Sequence, residues 1–368
     1  MMERILGFAA AALSFACRTE GDPLARASDG AEQARALDFV AANKPAMTPA
    51  LTPALTPEVR PPALLIERGR YLVAHVAACA DCHSPRRPDG SLDGTAWLSG
   101  VDCFVDAAPD DPERGCLSTR NLTNHETGLK NRTDREIQDM FLRGVRPDGK
   151  SLHPFMPYAF FANMRQGDAD AIVAYLRTVP GVDHTTQASQ PPFLAPAVPR
   201  PPVPEAAIPL PRAEYPDRAA ALRGRYLAGN IGSCLDCHTP RGPNGVALER
   251  AFEGGLTFPR GMLRLPGGYP EIIYSANLTP DATGIQGYTV ADVMRALKLD
   301  EDPNQDHQPL CPPMPAGPMD AFGGLTDADA SDIGHYLLSL PPRRNVIPVD
   351  CSVPSTVAAL AGALETPP

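Results

Sequence analysis

The pentapeptide CADCH at residues 79–83 returns almost unchanged as CLDCH at residues 234–238. Each copy places two cysteines three positions apart, and a histidine follows the second cysteine directly. This C-x-x-C-H spacing is the attachment signature of c-type haem, in which the thiols bond to the porphyrin vinyl groups and the histidine ligates the iron. Two intervening residues put both sulfurs on one turn of a helix, beside the imidazole. We therefore expect two covalently bound haem c groups.

Two other chemistries use paired cysteines, and neither requires the histidine. A thioredoxin-like dithiol would need a βαβ context that this sequence lacks, and two CxxC pairs could in principle form one four-cysteine zinc site. Haem remains the expectation because the histidine follows in both motifs. The haem-binding residues predicted from the motifs are Cys79, Cys82, His83, Cys234, Cys237 and His238.

The two motifs belong to a tandem duplication. GRYL at residue 69 recurs at residue 224, and NLTNHETG at residue 121 matches NLTPDATG at residue 277. We predict an all-α protein with two tandem cytochrome c-like domains, each a small helical fold around its haem. The predicted segments are a signal peptide (1–17), a Pro/Thr-rich tether (18–61), domain 1 (62–181), a Pro-rich linker (182–216), domain 2 (217–345) and a C-terminal tail (346–368).

Helical patterns dominate each unit, and a few positions have a specific expected role. The segments TDREIQDMFLRG and TVADVMRALK each open with a Thr that can cap a helix. Gly69 and Gly224 would let the first helix cross the last closely, against Tyr175 and Tyr336. The N-x-T triplets at Asn121, Asn131 and Asn277 match the glycosylation pattern. Asn121 and Asn277 are expected instead to shape a loop, with Gly128 and Gly284 closing its turn.

The sixth iron ligand is expected to be a methionine. A thioether raises the haem potential, and a Met on a Pro-rich loop before the last helix could supply it. Met156 and Met314 occupy that place, although a buried Met is more often core packing. Met319 competes with Met314, and His153 and His307 offer bis-histidine alternatives. His75, one helical turn before Cys79, is expected to be a surface or packing residue.

The remaining cysteines predict an oxidising compartment. Cys103 and Cys116 flank an acidic insertion, Cys311 lies three residues before Met314, and Cys351 lies in the predicted C-terminal tail. We predict the disulfides Cys103–Cys116 and Cys311–Cys351.

The N-terminus predicts export to the periplasm. Arg4 precedes an apolar run from Ile5 to Ala16, which suits a signal h-region and is too short to span a bilayer. Cys17 follows Ser-Phe-Ala, similar to a lipoprotein cleavage box, so lipid attachment at Cys17 and an ordinary cleaved signal both stay open. A net charge of −10 argues against nucleic-acid binding and favours redox partners with a basic patch.

These motifs together resemble the cytochrome c subunits that accompany bacterial membrane-bound alcohol, aldehyde and gluconate dehydrogenases. The resemblance rests on GRYL, C-x-D-C-H followed by Ser/Thr-Pro, NLT, Met-Pro and a final Tyr-Leu helix. It implies class I cytochrome c folds, His/Met ligation at His83/Met156 and His238/Met314, and electron transfer from a dehydrogenase towards a respiratory acceptor. Those subunits typically carry three haem units and a C-terminal membrane-binding helix, and this sequence shows neither.

The motifs are compatible with two classes of function, an electron carrier and a dihaem oxidoreductase. An electron carrier needs two firmly ligated haems, whereas a dihaem oxidoreductase, such as a peroxidase or a thiosulfate dehydrogenase-like enzyme, needs one open or exchangeable iron site. Both units offer a credible Met, and the duplication implies similar haems. We therefore expect a carrier or electron-transfer subunit, with the oxidoreductase as the alternative.

Overall fold

Helices make up most of the regular structure, as expected for an all-α chain. The computed structural model describes residues 62–348, except 112, 243–244, 264, 266–268 and 304–306. These residues all lie in one compact unit, Arg60–Pro368. The predicted signal peptide, the tether, Cys17, Cys351 and nearly all of the tail lie outside the described residues. Residues 62–181 are called the first copy below, residues 182–216 the linker, and residues 217–345 the second copy.

The described part of the first copy has five α-helices: α1 Pro62–Tyr71, α2 Cys79–His83, α3 Asp134–Arg143, α4 Tyr158–Phe161 and α5 Gln166–Leu176. The described part of the second copy has four: α6 Arg218–Tyr226, α7 Cys234–Cys237, α8 Val290–Leu299 and α9 Asp327–Leu338. Short 3₁₀ turns occur at Gly94–Ala96, Glu205–Ala207, Leu248–Arg250 and Ala321–Gly324. The order of the long helices is the same in both copies.

The strands are short and form three separate antiparallel pairs. They are β1 Val105–Asp106 with β2 Cys116–Leu117, β3 Arg241–Gly242 with β4 Gly245–Val246, and β5 Thr257–Pro259 with β6 Ile272–Tyr274. Each pair is a local hairpin. The strands therefore only stabilise loops, and the helices form the framework of the fold.

The predicted threonine caps are confirmed. Thr133 accepts a hydrogen bond from the backbone N–H of Glu136, whose carboxylate accepts from the backbone N–H of Thr133. Thr289 and Asp292 form the same reciprocal capping box at the start of α8. Each box satisfies donors that the first turn of a helix would otherwise leave unpaired.

Each haem motif is reached through an interrupted helix. The apolar residues before Cys79 have helical spacing up to the motif, but α1 gives way to a π-helix at Leu72–Val76, and Ala78 then adopts a left-handed conformation with φ 51°. The second copy repeats this path through a π-helix at Leu227–Ile231 and Ser233 at φ 52°. In both copies a left-handed residue therefore separates the motif helix from the helix before it.

One cluster of buried hydrophobic side chains runs through both copies and the linker. Val203 and Ile208 of the linker are 7% and 1% exposed, and the backbone N–H of Val203 donates to the carbonyl of Ala159. The Pro-rich segment is therefore extended but held against the helices. It contributes to the core in addition to joining the copies.

The copies also contact each other reciprocally. The π-helix of the first copy packs on the 3₁₀ turn Ala321–Gly324, and the π-helix of the second copy packs on α4. Among the residues that the structure describes, no helix is long and apolar enough to cross a membrane.

Candidate haem-binding sites

The four motif cysteines are free thiols on two short helices. Cys79 and Cys82 lie on α2, and Cys234 and Cys237 lie on α7. The spacing puts both sulfurs of a pair on one turn, as the attachment chemistry needs. Burial raises the pKa of Cys234 to about 12, so this thiol is neutral at physiological pH.

The motif histidines are both buried and oriented by backbone carbonyls. His83 Nδ1 lies 2.7 Å from the carbonyl oxygen of Arg120, and His238 Nδ1 lies 2.8 Å from that of Ala276. A carbonyl can only accept, so Nδ1 carries the proton and Nε2 keeps its lone pair for a metal. Burial also lowers the pKa of both imidazoles, which favours the neutral form. These features fit an axial haem ligand.

The two motifs approach each other in space. A Cβ built on Gly232 would lie 3.6 Å from the carbonyl oxygen of Val76 and 3.8 Å from Cys234 Sγ. Cys237 is exposed, and a negative charge on Cys82 of the first copy would raise the pKa of the Cys237 thiol. The segments that would hold the two haems are therefore neighbours.

The sequence reasoning assigned no role to the aspartate inside each motif. Asp81 accepts a hydrogen bond from the backbone N–H of Ala321 in the second copy, at 3.0 Å. Arg86 lies 3.4 Å from Asp81 and 2.5 Å from Asp320. In the second motif Asp236 pairs with Arg241 of its own copy at 2.5 Å. The available signal was the shared C-x-D-C-H-x-P-R pattern, in which Asp and Arg recur together.

The predicted methionine ligands are half-buried. Met156, Met314 and Cys79 all pack against the buried cluster that includes Cys234. Met319, the competitor of Met314, is 48% exposed and lies near Gly90 of the first copy.

The alternative histidine ligands have other partners. His153 Nδ1 accepts a hydrogen bond from the backbone N–H of Phe155, at 3.2 Å. His307 is exposed and lies 3.4 Å from Glu301. His75 Nδ1 lies 3.1 Å from the carbonyl oxygen of Ala321, so it packs between the copies.

Asn121 and Asn277 are structural residues of their loops. Asn121 is 3% exposed, and its amide donates to Thr127 Oγ1 and to the carbonyl oxygens of Val182 and His184. Asn277 is 1% exposed and donates to Thr283 Oγ1 and to the carbonyl of Arg343. Both hold the chain that leaves the last helix of their copy. Burial of these amides leaves no room for a glycan.

The disulfide Cys103–Cys116 is confirmed, and it joins strand β2 to the residues before β1. Cys311 is disulfide-bonded. Its predicted partner, Cys351, lies outside the described residues.

Comparison with known proteins places these features in a family context. No protein-family model matches the chain. It is 29% identical over 305 residues to the cytochrome c subunit of a quinone alcohol dehydrogenase from Gluconacetobacter polyoxogenes, covering 76% of this chain and 56% of that protein. It is 28% identical over 293 residues to the fructose dehydrogenase cytochrome subunit of Gluconobacter japonicus, covering 76% and 53%.

A third relative is nearer in size. The chain is 25% identical over 253 residues to a diheme cytochrome c-type protein of Cereibacter sphaeroides, covering 63% of this chain and 79% of that protein. In contrast, the chain spans little more than half the length of the first two relatives. The resemblance stated from the sequence is confirmed: the curated relatives of this chain include cytochrome subunits of quinone alcohol, fructose and gluconate dehydrogenases and a dihaem c-type cytochrome.

Proposed function

We propose that this chain is a dihaem c-type cytochrome that transfers electrons in the periplasm, from a dehydrogenase towards a respiratory acceptor. In this proposal residues 62–181 and 217–345 are two cytochrome c domains, each built around one covalent haem c. The observation that carries this proposal is that His83 and His238 have the same environment. Both are buried, and both bond a backbone carbonyl through Nδ1, so that Nε2 can ligate iron.

The chain's own residues have distinct roles in this proposal. The four motif thiols would hold the haems as thioethers, and the two motif histidines would each ligate one iron. Met156 and Met314 would provide the second protein ligand of each iron. When bound, each haem supplies a one-electron iron centre whose potential its ligands set. The surrounding apolar cluster would limit the access of water to the haems.

The surroundings of the candidate ligands support the two methionines. Met156 and Met314 face the apolar cluster, whereas Met319 is largely exposed. A ligand to a buried iron must itself be screened from solvent, which favours Met314 over Met319. His153 is a poor alternative because its Nδ1 accepts a hydrogen bond from the backbone N–H of Phe155, so the ring proton is on Nε2 and leaves no lone pair there for a metal.

The partners we propose follow from the relatives and the charge. The relatives are cytochrome subunits of dehydrogenases, so a dehydrogenase is the expected donor. A chain with a net charge of −10 suits a basic docking surface on a redox partner rather than nucleic acid. If Cys17 is lipidated, segment 18–61 would tether the cytochrome to a membrane.

Haem attachment can be tested directly by intact mass. The full chain should be produced in a host with haem-attachment machinery, beside the paired variants Cys79→Ala/Cys82→Ala and Cys234→Ala/Cys237→Ala. The parent chain should gain the mass of two haems and each paired variant the mass of one. Met319→Ala, a surface change outside the proposed ligand set, should keep both.

Spectroscopy of the same samples separates the two functional classes. Two low-spin signals with a methionine-to-iron charge-transfer band would support a carrier. A chain without haem mass contradicts the proposal. One high-spin haem would instead favour the dihaem oxidoreductase, and activity with peroxide or thiosulfate would then be measured.

A further inference from the structure

Tyr71 of the GRYL segment bonds to the other copy. Its hydroxyl donates to Asp329 Oδ2 at 2.6 Å, 258 positions away in the chain. The hydroxyl oxygen of Tyr71 also accepts a hydrogen bond from the backbone N–H of Thr326, at 3.2 Å. Thr326 is the N-cap of α9, and Asp329 lies in its first turn. One hydroxyl of the first copy is therefore held by two groups at the start of the last helix of the second.

Tyr226 makes the same contacts in the opposite direction. Its hydroxyl donates to Asp168 Oδ2 at 2.8 Å and accepts from the backbone N–H of Arg165 at 2.9 Å. Arg165 is the N-cap of α5, the last helix of the first copy. The interface between the copies thus has an approximate twofold symmetry. The repeated Tyr of each copy binds the repeated helix start of the other.

Charged side chains strengthen the Tyr226 contact. Arg68 shares the carboxylate of Asp168 at 2.9 Å, and the guanidinium of Arg165 lies 4.1 Å from the centre of the Tyr226 ring. Burial raises the pKa of Tyr71 to about 12 and also raises the pKa of Tyr226. Both hydroxyls therefore stay protonated and remain donors across the physiological pH range.

The tyrosines stand close in sequence to the haem motifs. Only a π-helix and two further residues separate Tyr71 from Cys79, and the same short path separates Tyr226 from Cys234. The two paths touch where Gly232 approaches Val76. A tyrosine that is fixed to the opposite copy therefore restrains the position of the motif in its own copy.

We infer that Tyr71 and Tyr226 form a reciprocal latch that fixes the orientation of one haem relative to the other. The inference rests on the proposed function, since it concerns the two haems. The tyrosines act as positioning residues, through the motif helices, and touch no iron. With both hydroxyls bonded, the two haems form one rigid pair. Without them the shared core still holds the copies together, but the two motif helices can shift relative to each other.

The first test measures the latch without using the haems. The full chain is compared with Tyr71→Phe, Tyr226→Phe and the double variant by hydrogen–deuterium exchange. The reporter is the peptide containing Ala321, whose backbone N–H donates to Asp81 across the interface and touches neither tyrosine hydroxyl. Each single variant loses one hydrogen bond from a tyrosine hydroxyl to a carboxylate. This loss should speed hydrogen exchange at the Ala321 peptide about tenfold. Tyr175→Phe is the matched control, because that hydroxyl accepts from Trp97 within the first copy.

The second test measures haem orientation by circular dichroism in the Soret band. Two haems held at a fixed angle give an exciton couplet. The double variant should keep both haem masses and the absorption of each haem but lose most of the couplet, while the Tyr175→Phe control keeps it. An unchanged couplet in the double variant overturns the inference, and so does unchanged exchange at Ala321. If the parent chain carries no haem, the proposed function fails, whereas the exchange result still decides whether the latch exists.

Discussion

Gly69 lies against the carbonyl oxygen of Ala171 so closely that a Cβ built on it would stand 1.8 Å from that oxygen. Gly224 meets the carbonyl oxygen of Asp332 at the same distance. The predicted close crossing of the first and last helices is confirmed in both copies, with the Cβ of Tyr175 and that of Tyr336 each 2.8 Å from the built atom.

Replacing either crossing glycine with alanine should therefore be strongly destabilising. Gly69→Ala or Gly224→Ala must push two helix backbones apart, at a cost of about 2–4 kcal/mol in the free energy of unfolding. Denaturant titration measures this loss. Gly167→Ala is the control, because a Cβ at that position in α5 meets nothing within 4 Å. A Gly69→Ala protein as stable as the control would refute the crossing.

Asn121→Ala should loosen the chain that leaves α5. The change removes an amide with three donated hydrogen bonds and leaves buried carbonyls unsatisfied, at roughly 1–3 kcal/mol of stability. Thermal unfolding tests this expectation. Asn131→Ala, at the exposed asparagine of another N-x-T triplet, should change stability by about 0.5 kcal/mol or less. Equal effects from the two variants would contradict the structural role of Asn121.

Met156→Ala and Met314→Ala should each lower the reduction potential of one haem while that haem stays attached through its thioethers. Spectroelectrochemical titration resolves the two potentials. Met319→Ala should leave both unchanged, because Met319 is exposed. If Met319→Ala shifts the second potential and Met314→Ala does not, the ligand assignment in the second copy is wrong.

The raised pKa of Asp300 predicts that the free energy of unfolding depends on pH. Burial raises its pKa to about 7, and Asp320 adds to the shift, although the carboxylate accepts from the backbone N–H of Leu310. An unfolded aspartate has a pKa of about 3.9, so between about pH 4 and pH 7 the folded state binds more protons. The contribution of Asp300 to stability therefore falls as pH rises through this window.

Asp300→Asn should remove that dependence. Asn tolerates the left-handed conformation at φ 61° and can still accept from Leu310. The variant should be more stable than the parent at pH 8, and the difference should shrink towards pH 4. Glu136→Gln is a control of opposite sign, since hydrogen bonds from Thr133 lower the pKa of Glu136. A difference for Asp300→Asn that does not vary with pH would refute the shift.

The sequence by itself determined the local features of this protein. Motif spacing predicted the two cysteine pairs with their histidines, and the Thr that opens each helical segment predicted the caps at Thr133 and Thr289. The repeated Gly before Arg-Tyr predicted the helix crossings. These features depend on residues within one or two turns of each other or on the duplication, both of which are visible in a linear string.

Only the tertiary structure decided how the two copies meet. The bonds from Tyr71 to Asp329 and from Asp81 to Ala321 join residues 258 and 240 positions apart, and no local pattern encodes them. The same holds for the buried linker residues Val203 and Ile208, which a Pro-rich composition describes only as extended. Long-range packing follows from the complementary shapes and charges of folded surfaces. Those surfaces exist only once both copies have formed.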